Sequence, residues 1–203
     1  MKKDIKFVYF DVGGVLFRWR EVLIGIAVKH KRPVDEVLRV YAKHDEAACR
    51  GIITYQKLWE NMYADLGISS GKDFDFFNFS MKKFTPIIET HRFVKETAKH
   101  LPVGLLTNIH HGVYDHLRES GNIPDINYTT VVQSCLLGKV KPEKEIYHHA
   151  QKKAKVKPGN ILFIDDFAIN VEVAQALGWN AVLFDTDSPA RSIREIRKWI
   201  KNS

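Results

Sequence analysis

Phe7-Val8-Tyr9-Phe10-Asp11-Val12-Gly13-Gly14-Val15-Leu16 is the stretch that decides the fold. Its β-branched and aromatic run reads as a buried strand. The strand ends in a carboxylate, and two glycines follow at once. An open parallel α/β sheet presents reactive groups in this way, because ligands sit outside the carboxyl ends of its strands. The glycines allow a sharp turn and a close approach of backbone to ligand. Taken alone, the stretch is equally a buried strand stopped by a solvated turn.

After this strand, from about residue 17 to 85, the pattern is helical. Val34, Val37, Leu38 and Tyr41 share one helix face, and Tyr55, Leu58, Trp59, Met62 and Leu66 share another. Thr54 is placed to cap the second of these helices, with Ile53 and Leu58 as its hydrophobic staple. The block reads as a small helical insertion. Phe74, Phe76, Phe77, Phe79 and Phe84 crowd its end, as core of the insertion or, for one or two of them, as the wall of a pocket.

From Pro86 onward strands and helices alternate. Ile87, His91, Val94, Ala98 and Leu101 repeat at helical spacing. Residues 103–106 form a strand ending in Thr107-Asn108, and a helix runs from about His110 to Glu119. Residues 128–132 form a further strand. Pro142 suits the first turn of a helix, with Glu143 and Glu145 near its positive end. Residues 161–164 form a strand ending in Asp165-Asp166. Ile169, Val173 and Leu177 mark the next helix, ended by Gly178. A strand over 181–184 follows, then a helix marked by Ile193, Ile196 and Ile200. This alternation predicts an α/β fold with a parallel sheet and right-handed crossovers.

The 203 residues suffice for one sizeable core plus a small insertion. With 45% apolar and 27% charged residues, the composition is that of a soluble globular protein. Cys49 and Cys135 form no CxxC pair, which favours a reducing compartment and argues against a thiolate zinc site. The charged residues 1–6 and the short apolar run after them do not form a signal peptide, and no segment reads as a membrane span, so a cytoplasmic location is expected. The 31 Lys and Arg outnumber the 24 Asp and Glu, giving a net charge of +7. These basic residues are scattered and do not interleave with aromatics. Nucleic-acid binding therefore ranks last among the partners considered. No interface signature indicates an oligomeric state.

Three expected strands end in polar residues: Asp11, Thr107-Asn108 and Asp165-Asp166. All three ends fall on one edge of a parallel sheet, and Lys141 precedes Pro142 at the start of a helix. Each has a plain reading: Thr107, Asn108 or Asp166 as helix caps, and Lys141 as one more surface lysine. Together they make a site of three carboxylates and one ammonium. Close carboxylates repel, and some must take up protons unless a cation holds them. A hard divalent ion such as Mg²⁺, bound by one or two carboxylates with substrate phosphate and water, meets that need. A carboxylate nucleophile beside it suits phosphoryl transfer through an aspartyl-phosphate.

The segments FDVGGVL (10–16), LLTN (105–108), GKVKPEKEIY (138–147) and FIDDFAINVEVAQALG (163–178) resemble the four ordered motifs of the haloacid dehalogenase-like hydrolase superfamily. RGIITYQKLW (50–59) resembles a common segment of its cap. The resemblance implies a Rossmann-like three-layer sandwich with a central parallel sheet, formed by residues 1–16 and 86–203, and an inserted helical cap at 17–85. It implies that Asp11 is the nucleophile and that Thr107 binds the phosphoryl oxygens, with Asn108 shaping the same substrate-binding loop. On the same resemblance, Lys141 would neutralise nucleophile and phosphate. The resemblance further implies that Asp11, the Gly13 backbone carbonyl and Asp166 bind Mg²⁺, with Asp165 as a direct or water-mediated ligand. Asn170 orients the acidic loop or caps the helix that follows.

One position departs from that pattern. Phosphatases of the family usually carry an aspartate two residues after the nucleophile, which protonates the leaving group and later activates water. Here that residue is Gly13. General acid–base assistance contributes ~10²–10⁴ in rate, so activity is expected to be reduced and biased toward leaving groups that need little protonation. His110 and His111 are candidate substitutes, or the start of an exposed helix. Arg18, Trp19 and Arg20 touch substrate or pack the cap.

The leading expectation is a Mg²⁺-dependent phosphatase acting on a small phosphorylated metabolite: a phosphate monoester, a sugar phosphate, or an acyl or aryl phosphate. A catalytically impaired protein that binds a phosphorylated ligand or a protein partner is the alternative. Dehalogenation stands lower, because such relatives usually have tyrosine at the Gly13 position and neutral polar residues in place of Asp165-Asp166.

Overall fold

The computed structural model describes residues 4–69 and 75–200. Phe74, one of the phenylalanines expected to crowd the end of the insertion, lies outside the described residues. In chain order the first elements are β1 (Phe7–Phe10), β2 (Phe17–Arg18), α1 (Arg20–Lys29), α2 (Val34–Cys49), α3 (Tyr55–Asp65), α4 (Phe76–Met81) and β3 (Thr85–Pro86). Then come α5 (Ile88–Thr97), β4 (Val103–Thr107), α6 (Val113–Glu119), β5 (Thr130–Gln133) and α7 (Ser134–Leu137). The chain continues through α8 (Lys144–Ala154), β6 (Ile161–Asp165), α9 (Ala168–Ala176), β7 (Asn180–Leu183) and α10 (Pro189–Ile200).

Five parallel strands form the central sheet in the order β5-β4-β1-β6-β7. β1 is the middle strand, and its four side chains are at most 1% exposed. A strand buried on both faces needs a helical layer on each side. Alternation along β1 divides its residues between those layers. Val8 and Phe10 enter a cluster with Phe93, Val94, Ile193 and Ile196, on the side of α5 and α10. Phe7 and Tyr9 enter another with Ile146, Tyr147, Val171 and Trp179, on the side of α8 and α9. The result is a three-layer α/β sandwich.

β2 and β3 pair antiparallel, with Phe17 opposite Pro86 and Arg18 opposite Thr85. Helices α1 to α4 lie between these two strands in sequence. Strands of two residues carry no periodicity, so this ribbon is invisible in the sequence, where residues 17–85 read as wholly helical. α3 buries Tyr55, Leu58, Trp59 and Met62, and Thr54 Oγ1 accepts from Lys57 N at 3.1 Å. Phe76 is buried and stacked on Trp59 at 6.1 Å, whereas Phe84 lines the cavity over the sheet edge.

Three local expectations shift. The helix after β4 begins at Val113 rather than His110, because Gly112 at φ 77° turns the backbone first. α8 begins at Lys144 with Glu143 as its N-cap, so Pro142 stands outside the helix, after a cis Lys141–Pro142 peptide. α9 buries Asn170, Val171 and Ala174. Ile169, expected on the buried stripe, is 50% exposed and turned toward the cavity. Cys49 and Cys135 are free and buried. No helix among the described residues is long and apolar enough to cross a membrane.

The packing around β1 leaves no room beside Gly104 on β4. A Cβ there would stand 2.6 Å from Tyr9 Cε1 and 3.0 Å from the Thr130 carbonyl. Tyr9 cannot yield easily, since its hydroxyl donates to Ala150 O at 2.8 Å and its ring stacks on Trp179 at 5.8 Å. Gly104→Ala should therefore destabilise the protein by ~1–3 kcal/mol through overpacking. Urea unfolding would show a lower midpoint at unchanged slope; an unchanged midpoint would refute the packing assignment.

Candidate active site

Because β4, β1 and β6 are adjacent and parallel, their carboxyl ends bring Thr107, Asp11 and Asp165-Asp166 to one edge of the sheet. Lys141 reaches the same point from the loop before α8. Its Nζ lies 2.9 Å from Asp11 Oδ1 and 2.6 Å from Asp165 Oδ2, and all three side chains are buried. Asp11 Oδ1 also accepts from Val12 N at 2.7 Å. Asp165 is fully engaged: Oδ1 accepts from Phe167 N at 2.8 Å and from Asn170 Nδ2 at 3.0 Å, while Oδ2 receives Lys141. Asn170 thus holds the acidic loop rather than capping α9.

Asp166 is different. It makes no capping bond to α9, and its Oδ1 is buried with no hydrogen-bond partner. One ligand oxygen each from Asp11, Asp165 and Asp166 lie within 4.8 Å of one another. Burial, then the charges of Asp11 and Asp165, push the Asp166 carboxyl up to about 7. Burial likewise pushes Asp11 up to about 6, against the pull of Lys141. Burial works against the Lys141 ammonium, but Asp11 and Asp165 outweigh it and hold it above its ordinary value. One ammonium does not balance three carboxylates. A buried orphan carboxylate oxygen facing two others fits a hard divalent cation with oxygen ligands.

Gly14 makes this approach possible. It sits at φ +78°, and a Cβ there would fall 2.1 Å from Asp166 Oδ2. Asn108, expected to shape the substrate loop, spends its amide on the Lys141 backbone: Lys141 N donates to Oδ1 at 2.8 Å and Nδ2 donates to Lys141 O at 2.9 Å. It places the lysine and keeps one Nδ2 hydrogen free of this clasp. Thr107 Oγ1 is buried and donates only a long 3.3 Å bond to Asn108 O.

A cavity of about 590 Å³ opens above these residues. Its far wall comes from α1, α2 and α3 and is mostly apolar: Leu23, Leu38, Tyr41, Tyr55 and Trp59. Trp19 and Arg20 line it, whereas Arg18 is drawn to Asp187 at 3.5 Å. Of the two candidate histidines, only His110 lines it. His110 Nε2 pairs with Asp45 Oδ1 at 2.8 Å, and its ring lies 5.0 Å from that of Tyr55. His111 turns instead toward Gly51. Cys49 and Tyr41 also hydrogen-bond Asp45. Burial would raise the Asp45 carboxyl, but His110 leads the interactions that outweigh it and lower it. This polar cluster was not foreseen. Its sequence signal is an acid within the apolar face of α2, where Tyr41, Asp45 and Cys49 recur every four residues.

Residues 5–178 match the haloacid dehalogenase-like hydrolase family. Bifunctional epoxide hydrolase 2 of Mus musculus is 32% identical over 36% of this chain, and that match spans 13% of its own length. The chain therefore corresponds to a small part of that relative. Sesquiterpene phosphatase astK of Aspergillus oryzae is 25% identical, covering 88% of this chain and 89% of the relative. Among solved structures, wild-type HAD family enzyme BT-2542 of Bacteroides thetaiotaomicron, in complex with magnesium and inorganic phosphate, superposes with TM-score 0.65. It is 21% identical, over 90% of this chain and 95% of its own. L-2-haloacid dehalogenase of Xanthobacter autotrophicus, with chloropropionic acid covalently bound, gives TM-score 0.70. It is 18% identical, over 92% and 81% of the two chains. These structural likenesses concern the fold, which phosphatases and dehalogenases share. With its motifs on one sheet edge and the family match spanning most of its length, this chain belongs to the haloacid dehalogenase-like hydrolases.

Proposed function

We propose that the chain is a Mg²⁺-dependent phosphatase that hydrolyses a small phosphorylated metabolite through an aspartyl-phosphate on Asp11. The observation that carries this reading is the unpartnered buried oxygen of Asp166 beside Asp11, with Lys141 already committed to Asp11 and Asp165. Magnesium and phosphate in BT-2542 and the phosphatase activity named for astK support it. The apolar far wall of the cavity favours an ester whose alcohol part is largely apolar. Helices α1 to α4 would act as a cap that excludes water.

Asp11, Asp166 and the Gly13 carbonyl would hold Mg²⁺, with Asp165 behind them, its oxygens already engaged. When bound, the ion supplies positive charge against the phosphoryl oxygens. The chain's own groups do the rest. Val12 N and Lys141 both bind Asp11 Oδ1, which leaves Oδ2 as the attacking oxygen. The Lys141 ammonium keeps Asp11 ionised and meets charge on the phosphoryl group. The Thr107 hydroxyl turns from its long bond to a phosphoryl oxygen. Gly13 favours, as a second reading, a protein that binds a phosphorylated ligand without turnover. Dehalogenation fits less well, because it has no use for the unpaired acid at Asp166.

Asp11→Asn should lower p-nitrophenyl phosphate turnover by about 10³-fold or more, as expected for loss of a covalent nucleophile. A protein that binds without turnover would show no Asp11-dependent rate in either form. Lys141→Met should cost ~3–5 kcal/mol in stability at neutral pH by leaving buried charge uncompensated. Chemical denaturation at pH 8 reads this directly, and a cost under about 1 kcal/mol would contradict the pairing.

In metal-free protein the folded Asp11 and Asp166 titrate near 6 and 7, above their ordinary value of 3.8. The folded state thus keeps protons that the unfolded chain releases, so the part of the stability that these two acids contribute should fall as pH rises from 3.8 through 7. Melting curves in chelator should show this loss, and saturating Mg²⁺ should remove most of it. A metal-free pH dependence identical in the parent and Asp166→Asn would contradict the assignment.

A further inference from the structure

Two residues beyond Asp11 the chain has no side chain, yet the space is filled. A Cβ built on Gly13 would stand 3.3 Å from Trp19 Cδ1 and 3.5 Å from Trp19 Nε1. The N–H edge of the indole therefore lies where a longer side chain at position 13 would project. Gly13 is not in the left-handed region, so its backbone does not demand glycine, and the contact that a side chain there would meet first is the edge of this ring. Trp19 is fixed from two sides, by the Tyr41 ring at 5.7 Å and by the Arg20 guanidinium at 5.5 Å. Its ring lines the same cavity as Asp11, Thr107 and Lys141. Among the described residues no hydrogen bond engages its N–H.

We propose that Trp19 is the leaving-group residue of this site: its Nε1–H donates a hydrogen bond to the ester oxygen while the P–O bond breaks. The inference rests on the phosphatase reading above. Indole is a donor only and keeps its proton, so it differs in kind from a carboxylic acid at position 13. In the first step Asp11 Oδ2 bonds to phosphorus and the ester P–O bond breaks. The electron pair stays on the leaving oxygen, held by the indole N–H, and that oxygen takes its proton from water. In the second step water bonds to phosphorus as the Asp11 Oδ2–P bond breaks, its proton neutralises the hydroxide left by the first step, and inorganic phosphate leaves with Asp11 regenerated. Substrates are then phosphates whose leaving groups depart as stabilised anions: aryl and enol phosphate esters, or acyl phosphates.

The test is kcat/KM with Mg²⁺ for aryl phosphates whose phenols span a range of pKa, in the parent, Trp19→Phe and Asp11→Asn. Trp19→Phe keeps the ring and removes the donor. It should steepen the dependence on leaving-group pKa, costing phenyl phosphate about threefold to tenfold, the worth of one neutral hydrogen bond. p-Nitrophenyl phosphate should change by less than about twofold on the same scale. Parallel slopes, or equal loss on every substrate, would overturn the proposal. Should Trp19→Phe fail to fold by circular dichroism, Gly13→Ala decides the matter. Its methyl crowds Trp19 Cδ1 at 3.3 Å and must shift the indole N–H by a few tenths of an ångström, so steepening supports the role and an unchanged slope rejects it. An Asp11→Asn enzyme as active as the parent would remove the phosphatase reading and this inference with it. An inactive Asp11→Asn with parallel slopes for Trp19→Phe removes only the role of Trp19.

Discussion

Lys141 Nζ lies within 3 Å of two buried carboxylates, and a third, Asp166, stands beside them unpaired. The site depends on this imbalance of charge. Two unit charges 4 Å apart interact by ~4 kcal/mol at the effective dielectric of a protein site. Three acids cannot all ionise there against a single ammonium, so the surplus is met by protons or by a further cation. The raised affinities of Asp11 and Asp166 for protons are the metal-free face of that requirement. A divalent cation is its functional face.

The fold serves the imbalance by fixing its members from four separate segments. Adjacent parallel strands deliver Asp11 and Asp165-Asp166, and burial of β1 on both faces leaves little freedom in that register. Asn108 clasps the Lys141 backbone from the end of β4, and Asn170 holds Asp165 from α9. Gly14 gives Asp166 room to approach. None of these supports touches a ligand in the proposed chemistry, but each sets where a charged atom lies. Substitution at the supports should act through position rather than through loss of a reacting group.

Much of this was legible in the sequence because it rests on patterns the chain repeats. The strand-to-acid junctions at Asp11 and Asp165, the helix faces of α2 and α3, and the Thr54 cap each carry a local signal. What stayed hidden depends on long-range neighbours. The amide of Asn108 is spent on a residue 33 positions away. The pairing of His110 with Asp45 spans 65 positions. α1 has a weak amphipathic pattern, since Ile24 and Val28 are apolar yet exposed beside the buried Val22, Leu23, Ile26 and Ala27. On α9 the expected stripe was displaced because the cavity, rather than the sheet, receives Ile169. The indole of Trp19 reaches position 13 only through the path of the β2–β3 ribbon, which two-residue strands do not announce.

The most direct measurement is calorimetric titration of chelator-treated protein with Mg²⁺, in the parent and in Asp166→Asn. Removing one of the crowded acids should relieve repulsion and raise metal-free stability, while abolishing the Mg²⁺ heat seen in the parent. An Asp166→Asn protein that binds Mg²⁺ as the parent does, or a parent that binds none at millimolar concentration, would contradict the claim that these three carboxylates are gathered around a cation.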